Sequence, residues 1–176
     1  MNAGARADSI VLLAASAVEM QSLGERLGQL LRVGDVVGLI GPLGAGKTTF
    51  AQGLARGLQV SAERHVASPT FALVNQHPGR VPFVHVDLYR INDVAEIAEL
   101  GLSETYDYAA VAIEWLDRFP AVAPADRLEI EIGVTFDLKG GDSAGAGTRR
   151  IAARGTGPRG LALAEALAGG GRQSTA

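Results

Sequence analysis

Val36-Val37-Gly38-Leu39-Ile40-Gly41-Pro42-Leu43-Gly44-Ala45-Gly46-Lys47-Thr48-Thr49 is the stretch that decides the fold. Its first five residues have the length and apolar content of a buried strand. From Gly41 to Thr48 it satisfies G-x-x-x-x-G-K-[ST] without a mismatch. A loop that wraps an anion must turn its backbone amides inward, and side chains at Gly41, Gly44 and Gly46 would obstruct that approach. The helix expected from about Lys47 to Leu58 then starts at the phosphates, with its positive dipole end toward them. Lys47 supplies charge for the β- and γ-phosphates, and the Thr48 hydroxyl can ligate Mg²⁺. The expected nucleotide-binding set is Gly41, Leu43, Gly44, Ala45, Gly46, Lys47, Thr48 and Thr49. The competing reading is a chance match in a glycine-rich chain. Lysine scarcity weighs against chance, because only Lys47 and Lys139 occur.

A phosphate loop needs carboxylates at neighbouring strand ends. Asp87 ends the strand expected over Val81–Val86, and Glu114 ends the one expected over Ala109–Ile113. Either can hold Mg²⁺ or its waters, or orient an attacking water; the plain alternative is a solvated strand end. Thr70, after Ser68-Pro69, is a candidate sensor of the γ-phosphate and Mg²⁺, or simply a turn into a strand over Phe71–Gln76. His85 shares a strand face with Asp87, so it either orients Asp87 or a water, or is a hydrogen-bonded structural histidine. Trp115, the single tryptophan, stacks on a base, meets a partner or packs. Tyr89 and Arg90 are contacts or helix-start packing. Arg149-Arg150 reaches phosphate or RNA, or ends a strand in solvent.

Outward from these motifs the chain alternates strands and helices, which suggests a mainly parallel α/β layer fold. Ser9–Leu13 reads as a strand. Ser16-Ala17-Val18-Glu19 reads as a capping box, opening a helix that runs through Arg32. Val94–Leu102 reads as a helix. Leu128–Val134 alternates apolar and acidic residues, so one face should be wet, and Arg149–Ala153 can pair with it. Leu161–Leu167 closes the chain as a helix. Closely spaced strands near 71–87 and 128–153 suggest antiparallel additions. One domain over 1–168 is expected, with a glycine-rich loop at about 139–148 and a flexible tail at 169–176. Glycine makes up 23 of 176 residues, about 13% against the usual ~7%; the 10 from Lys139 onward read as loop and tail. No cysteine is present, which excludes disulfides and thiolate metal sites. Apolar runs fall short of the ~18–20 residues that span a bilayer. The N-terminus, with Arg6 before Ile10–Leu13, faintly imitates a signal peptide, but a strand and capped helix explain it better.

The ordered set GPLGAGKTTF, SPTFALV, HVDLYR and IEW resembles TsaE (YjeE), a family of small bacterial ATPases needed to make threonylcarbamoyladenosine in tRNA. The resemblance runs from about Leu23-Gly24 to Glu131. It implies a P-loop NTPase-like three-layer fold with a mixed sheet, and ATP and Mg²⁺ as ligands. It implies slow hydrolysis by the isolated protein and a cytoplasmic setting. It also implies two partners, the transferase TsaD and its inactive relative TsaB, with tRNA met only through them. By position, Lys47 would grip phosphate, Thr48 would ligate Mg²⁺, and Asp87 would be the Walker-B-like aspartate. Glu114 would be the second acidic residue and a Mg²⁺ ligand, with Trp115 beside it at the functional surface and Thr70 in a switch-like segment. Ser16 falls where the family chain passes near the nucleotide.

Three positions depart from the family pattern: Pro42 replaces an aspartate, Leu116 replaces a proline, and the loop from Lys139 to Thr148 is longer and richer in glycine. A GTPase would carry N-K-x-D, and neither lysine follows an asparagine. A small-molecule kinase and a non-catalytic nucleotide-binding scaffold remain as alternatives; a kinase would need an acceptor pocket and a lid, for which Arg118 and Arg127 are available but no lid pattern is evident, and the placement of Glu114 argues against a scaffold. The formal charge of −3 gives no reason to expect strong unaided binding to tRNA, so the partners are expected to supply the basic face.

Overall fold

A computed structural model of the protein describes residues 9–64, 66–134 and 147–169. His65, most of the expected glycine-rich loop and the tail beyond Gly169 lie outside the described residues. Seven strands form one mixed sheet: β1 (Ile10–Ala14), β2 (Val36–Ile40), β3 (Val74–His77), β4 (Phe83–Asp87), β5 (Ala110–Glu114), β6 (Leu128–Val134) and β7 (Arg149–Gly155), in the order β1-β7-β6-β2-β5-β4-β3. The centre is parallel, through β6–β2, β2–β5 and β5–β4. The three outer pairings, β1–β7, β7–β6 and β4–β3, are antiparallel. The predicted mixed sheet with antiparallel additions is therefore present. The phosphate-loop strand β2 stands at its middle, with both faces buried.

Helices α1 (Ala17–Leu30), α2 (Lys47–Gly57) and α5 (Pro158–Gly169) cover one face, burying Leu27, Phe50, Leu54 and Leu163 on Leu39, Ala112 and Ile130. The shorter α3 (Val94–Ala98) and α4 (Leu102–Thr105) cover the other face around Val86, Ile97, Leu102 and Ile113. Ser16 caps α1 by accepting from the Glu19 amide at 3.1 Å, while the Glu19 carboxylate accepts from the Ala15 amide at 2.8 Å. Such a cap contributes about 1 kcal/mol.

Where α1 crosses α2, four glycines meet. A Cβ on Gly24 or Gly28 would stand 2.4 or 2.3 Å from the Phe50 or Leu54 carbonyl oxygen, and one on Gly53 or Gly57 would stand 2.2 Å from that of Gln21 or Glu25. The pairing of Gly24 with Gly53 and Gly28 with Gly57 makes the two helices parallel, touching backbone to backbone.

Several boundaries differ from expectation. The strand expected from Phe71 begins at Val74, because Leu73 turns the chain at φ +64° and leaves Phe71 88% exposed. The helix expected over Val94–Leu102 is two helices parted at Gly101, φ +60°, and the first is held by a reciprocal Asp93–Glu96 capping box. The wet face expected on β6 is half dry: Glu129 is only 7% exposed. Arg127 at 2.8 Å and Arg154 both pair with it, which compensates its desolvation; Glu131 alone is exposed. Not all late glycines belong to loop and tail. Gly155 and Gly160 let α5 lie against β7 and the Arg127 carbonyl.

Candidate functional site

The glycine turn connects β2 to α2 as the motif requires. Gly41, Gly44 and Gly46 all have positive φ, at +147°, +77° and +110°, where a Cβ is strained. Ala45 is fully buried, whereas Leu43 stands 78% exposed at the tip. Pro42 removes an amide, but its carbonyl is used twice, by the Ala45 amide at 3.1 Å and by Lys47 Nζ at 2.9 Å. Lys47 Nζ also donates to the Gly41 carbonyl at 2.7 Å and lies 3.7 Å from the centre of the Trp115 ring. Burial pushes the lysine pKa down, opposed by the nearby Glu114, Asp87 and Asp117 carboxylates.

Parallel pairing of β4 with β5 sets Asp87 directly beside Glu114. Both are buried, at 2% and 3% exposure. Thr48 Oγ1 donates to Glu114 Oε1 at 2.8 Å. Asp87 is held differently: Ser68 Oγ and Thr70 Oγ1, the latter at 2.9 Å, donate to Oδ2, and the Tyr89 amide donates to Oδ1 at 2.8 Å. The switch-like segment is thus anchored on Asp87. His85 does not reach Asp87, although the two share a strand face. Its Nε2 lies 2.9 Å from Glu114 Oε1.

Trp115 follows β5 directly at φ +62°, a left-handed conformation that is strained for a bulky residue. Its amide still donates to the Leu39 carbonyl at 2.9 Å, and its ring packs on Tyr89 with centroids 5.1 Å apart. The next residue, Leu116, is fully buried over Gly38, where a Cβ would stand 2.3 Å from its Cδ2. The leucine departure from the family pattern is accommodated by that mid-strand glycine.

These residues line a cleft of about 340 Å³ that contains Leu43, Gly44, Gly46, Lys47, Thr48, Thr49, Thr70, Asp87, Glu114 and Trp115. The fold thus brings Lys47, Thr48, Thr70, Asp87, Glu114 and Trp115 together, whereas Gly41 and Ala45 do not line this cleft. On the other side of the turn lies a hollow of about 120 Å³, walled by Ser16, Met20, Thr49 and Arg149. Arg149 Nε donates to the Ala45 carbonyl at 3.1 Å, so this arginine belongs to the loop and is not a free strand end. Ser68, Met20 and the His85–Glu114 contact were not legible from the motifs. Ser68 precedes a predicted residue by two positions, but the chain holds no local sign of the partners of the other two.

A family model described as "Threonylcarbamoyl adenosine biosynthesis protein TsaE" matches residues 14–138. The chain belongs to the TsaE family. All predicted site residues fall within the matched span. The chain is 39% identical over 144 residues to the tRNA threonylcarbamoyladenosine biosynthesis protein TsaE of Streptomyces coelicolor, a match covering 80% of this chain and 93% of that one. The Treponema pallidum TsaE is 37% identical over 123 residues, 69% of this chain and 90% of its own. The Mycobacterium tuberculosis TsaE is 44% identical over 104 residues, spanning 53% of this chain and 61% of its own. A crystal structure of Bacillus subtilis YdiB superimposes with a TM-score of 0.75 at 27% identity, covering 94% of this chain and 97% of that one. The TsaE fold and the mixed sheet described above agree.

Proposed function

We propose that this protein is a Mg²⁺-dependent ATPase required for threonylcarbamoyladenosine formation in tRNA, acting with the TsaD–TsaB pair and leaving the transfer itself to them. The observation that carries the reading is the Thr48 hydroxyl on the Glu114 carboxylate at 2.8 Å, beside Lys47 in an open glycine turn. The turn amides and Lys47 would hold the phosphates, with Nζ exchanging two neutral carbonyls for anionic oxygens.

The donor set suits Mg²⁺. Thr48 and Glu114 offer hard oxygens side by side, and Asp87 stands next to Glu114. Among the described residues no cluster of three or more His, Cys, Asp or Glu side chains forms a metal cage. That agrees with a cation held by one or two protein groups plus phosphate and water. When bound, Mg²⁺ would neutralise charge developing on the phosphates. Asp87, with both oxygens already accepting, would orient a water, and Thr70 would follow the γ-phosphate. The hollow beside Ser16, Met20 and Arg149 would take the nucleoside. No helix among the described residues is long and apolar enough to cross a membrane.

The deciding experiment measures ATP hydrolysis by the protein alone, with TsaD and TsaB, and then with tRNA. Turnover should rise with the partners, and Lys47→Ala should abolish it. Undiminished turnover by Lys47→Ala would sink the site, and phosphorylation of a metabolite would favour a kinase.

A further inference from the structure

We propose that His85 is a positioning residue that fixes one oxygen of Glu114 and leaves the other free for the cation. This inference rests on the nucleotide reading above. His85 is fully buried, and its ring stacks on Phe83 with centroids 6.0 Å apart and planes 17° apart. Its one polar contact among the described residues is Nε2 to Glu114 Oε1 at 2.9 Å; Nδ1 is buried without a partner. A carboxylate oxygen accepts, so Nε2 is the nitrogen that donates in this pair.

A packing role alone does not account for this residue. An unpartnered buried polar nitrogen destabilises a fold, and an aromatic hydrocarbon would fill the same place beside Phe83 without that cost. What histidine adds is the Nε2–H. Two donors converge on Oε1, Thr48 Oγ1 and His85 Nε2, while Oε2 has no hydrogen-bond partner among the described residues. A Thr48 oxygen that turns a lone pair to a cation can still donate its hydrogen to Oε1, and the same atom then serves two partners. His85 is the donor on that oxygen with no second duty, and it limits the rotation of Glu114. Outer groups of this kind typically shift metal affinity by about 10–100-fold.

The test separates donor from shape. His85→Phe keeps the ring and loses the donor; His85→Gln puts an N–H where Nε2 stands; His85→Asn puts one nearer the backbone, out of reach. For each, ADP affinity is measured in EDTA and in Mg²⁺, Mn²⁺ affinity of the ADP complex by electron paramagnetic resonance, and melting temperature without ligand. The expected result for His85→Phe is unchanged ADP affinity in EDTA, an undiminished melting temperature, and Mn²⁺ affinity about 10–100-fold weaker. His85→Gln should recover most of that loss and His85→Asn should not. Equal Mn²⁺ affinity in wild type and His85→Phe would overturn the proposal, as would equal loss in the phenylalanine and glutamine variants. Wild-type protein that binds ADP with no metal dependence would overturn the Mg²⁺ site itself, an outcome visible before any variant is made.

Discussion

Glu114 is the residue on which the site's contacts converge, since Thr48 and His85 both meet it and Asp87 flanks it. On the Mg²⁺ reading proposed above, truncating it to alanine would remove a cation ligand while leaving the glycine turn and Lys47 in place. Glu114→Ala should therefore retain ADP binding in EDTA and lose roughly 10²-fold or more in Mg²⁺-stimulated hydrolysis; calorimetry and steady-state turnover check the two separately. Equal loss of both would mark a structural role. Tyr106 gives a pH-dependent case away from the site. Its hydroxyl donates to the Val122 carbonyl at 2.8 Å. Burial pushes the phenol up from 10.0 to about 12, against a smaller opposing effect of Arg127. The folded chain thus keeps a proton that the unfolded chain releases above pH 10, and stability falls as pH rises from 10 toward 12. Tyr106→Phe should lose that alkaline decline, and at pH 7 should cost about 1 kcal/mol for the missing hydrogen bond. Urea melts across pH 7 to 11.5 follow both.

At the scale of elements, the contact between α1 and α2 makes a sharp prediction because two effects oppose. Alanine is favoured over glycine within a helix by about 1 kcal/mol. Yet a Cβ at Gly28 or Gly53 would come within 2.3 or 2.2 Å of a carbonyl oxygen, so the helices must part, at a cost of about 1–3 kcal/mol or more. Sterics should win, and Gly28→Ala and Gly53→Ala should both lower the melting temperature. Gly133→Ala, with nothing within 4 Å of its Cβ, should change stability by less than about 0.5 kcal/mol. The sequence hid this contact. Gly24, Gly28, Gly53 and Gly57 lie in helical segments whose leucine spacing was readable, but no spacing in one helix says which helix it meets. The phosphate loop was legible because a single local stretch must perform the whole task. Asp87 and Glu114 were legible because strand ends beside such a loop are where carboxylates are needed. His85 stood open between orienting Asp87 or a water and a structural hydrogen bond, and its partner Glu114 was out of view because neighbours along a strand are visible in a sequence and neighbours across strands are not. The break at Gly101 was missed for a related reason: a helical apolar pattern continues through a glycine that the backbone uses to turn.

For the whole molecule, strand alternation and the motif were enough for the fold class, whereas the order β1-β7-β6-β2-β5-β4-β3 depends on long-range pairings that no local pattern encodes. One such tie is Arg159 at the start of α5. It donates to both oxygens of Asp35, at 2.8 and 2.6 Å, and to the Leu30 carbonyl at 2.9 Å, joining the last helix to the entry of the central strand. Ligand binding should be felt through this framework. With nucleotide and Mg²⁺ at 100 times their dissociation constant, stabilisation is about 2.7 kcal/mol. For a chain of this size that corresponds to roughly 5–10 °C in melting temperature, read by differential scanning fluorimetry. The shift should be much smaller with EDTA in place of Mg²⁺.

The parallel, backbone-to-backbone seating of α1 on α2 gives the cleft a fixed jaw. The start of α1 borders the hollow at Ser16, and the start of α2 carries Lys47 and Thr48. No side chains lie between the paired glycines to be repacked, so the span from one helix start to the other is a gauge with almost no tolerance. The opposite jaw, Ser68 to Thr70 with Trp115 and Tyr89, is held by hydroxyls on one carboxylate and by a tilted ring contact, side-chain ties that can let go and re-form. On the ATPase reading proposed above, travel during a cycle would belong to the second jaw, with the first as the reference against which it moves.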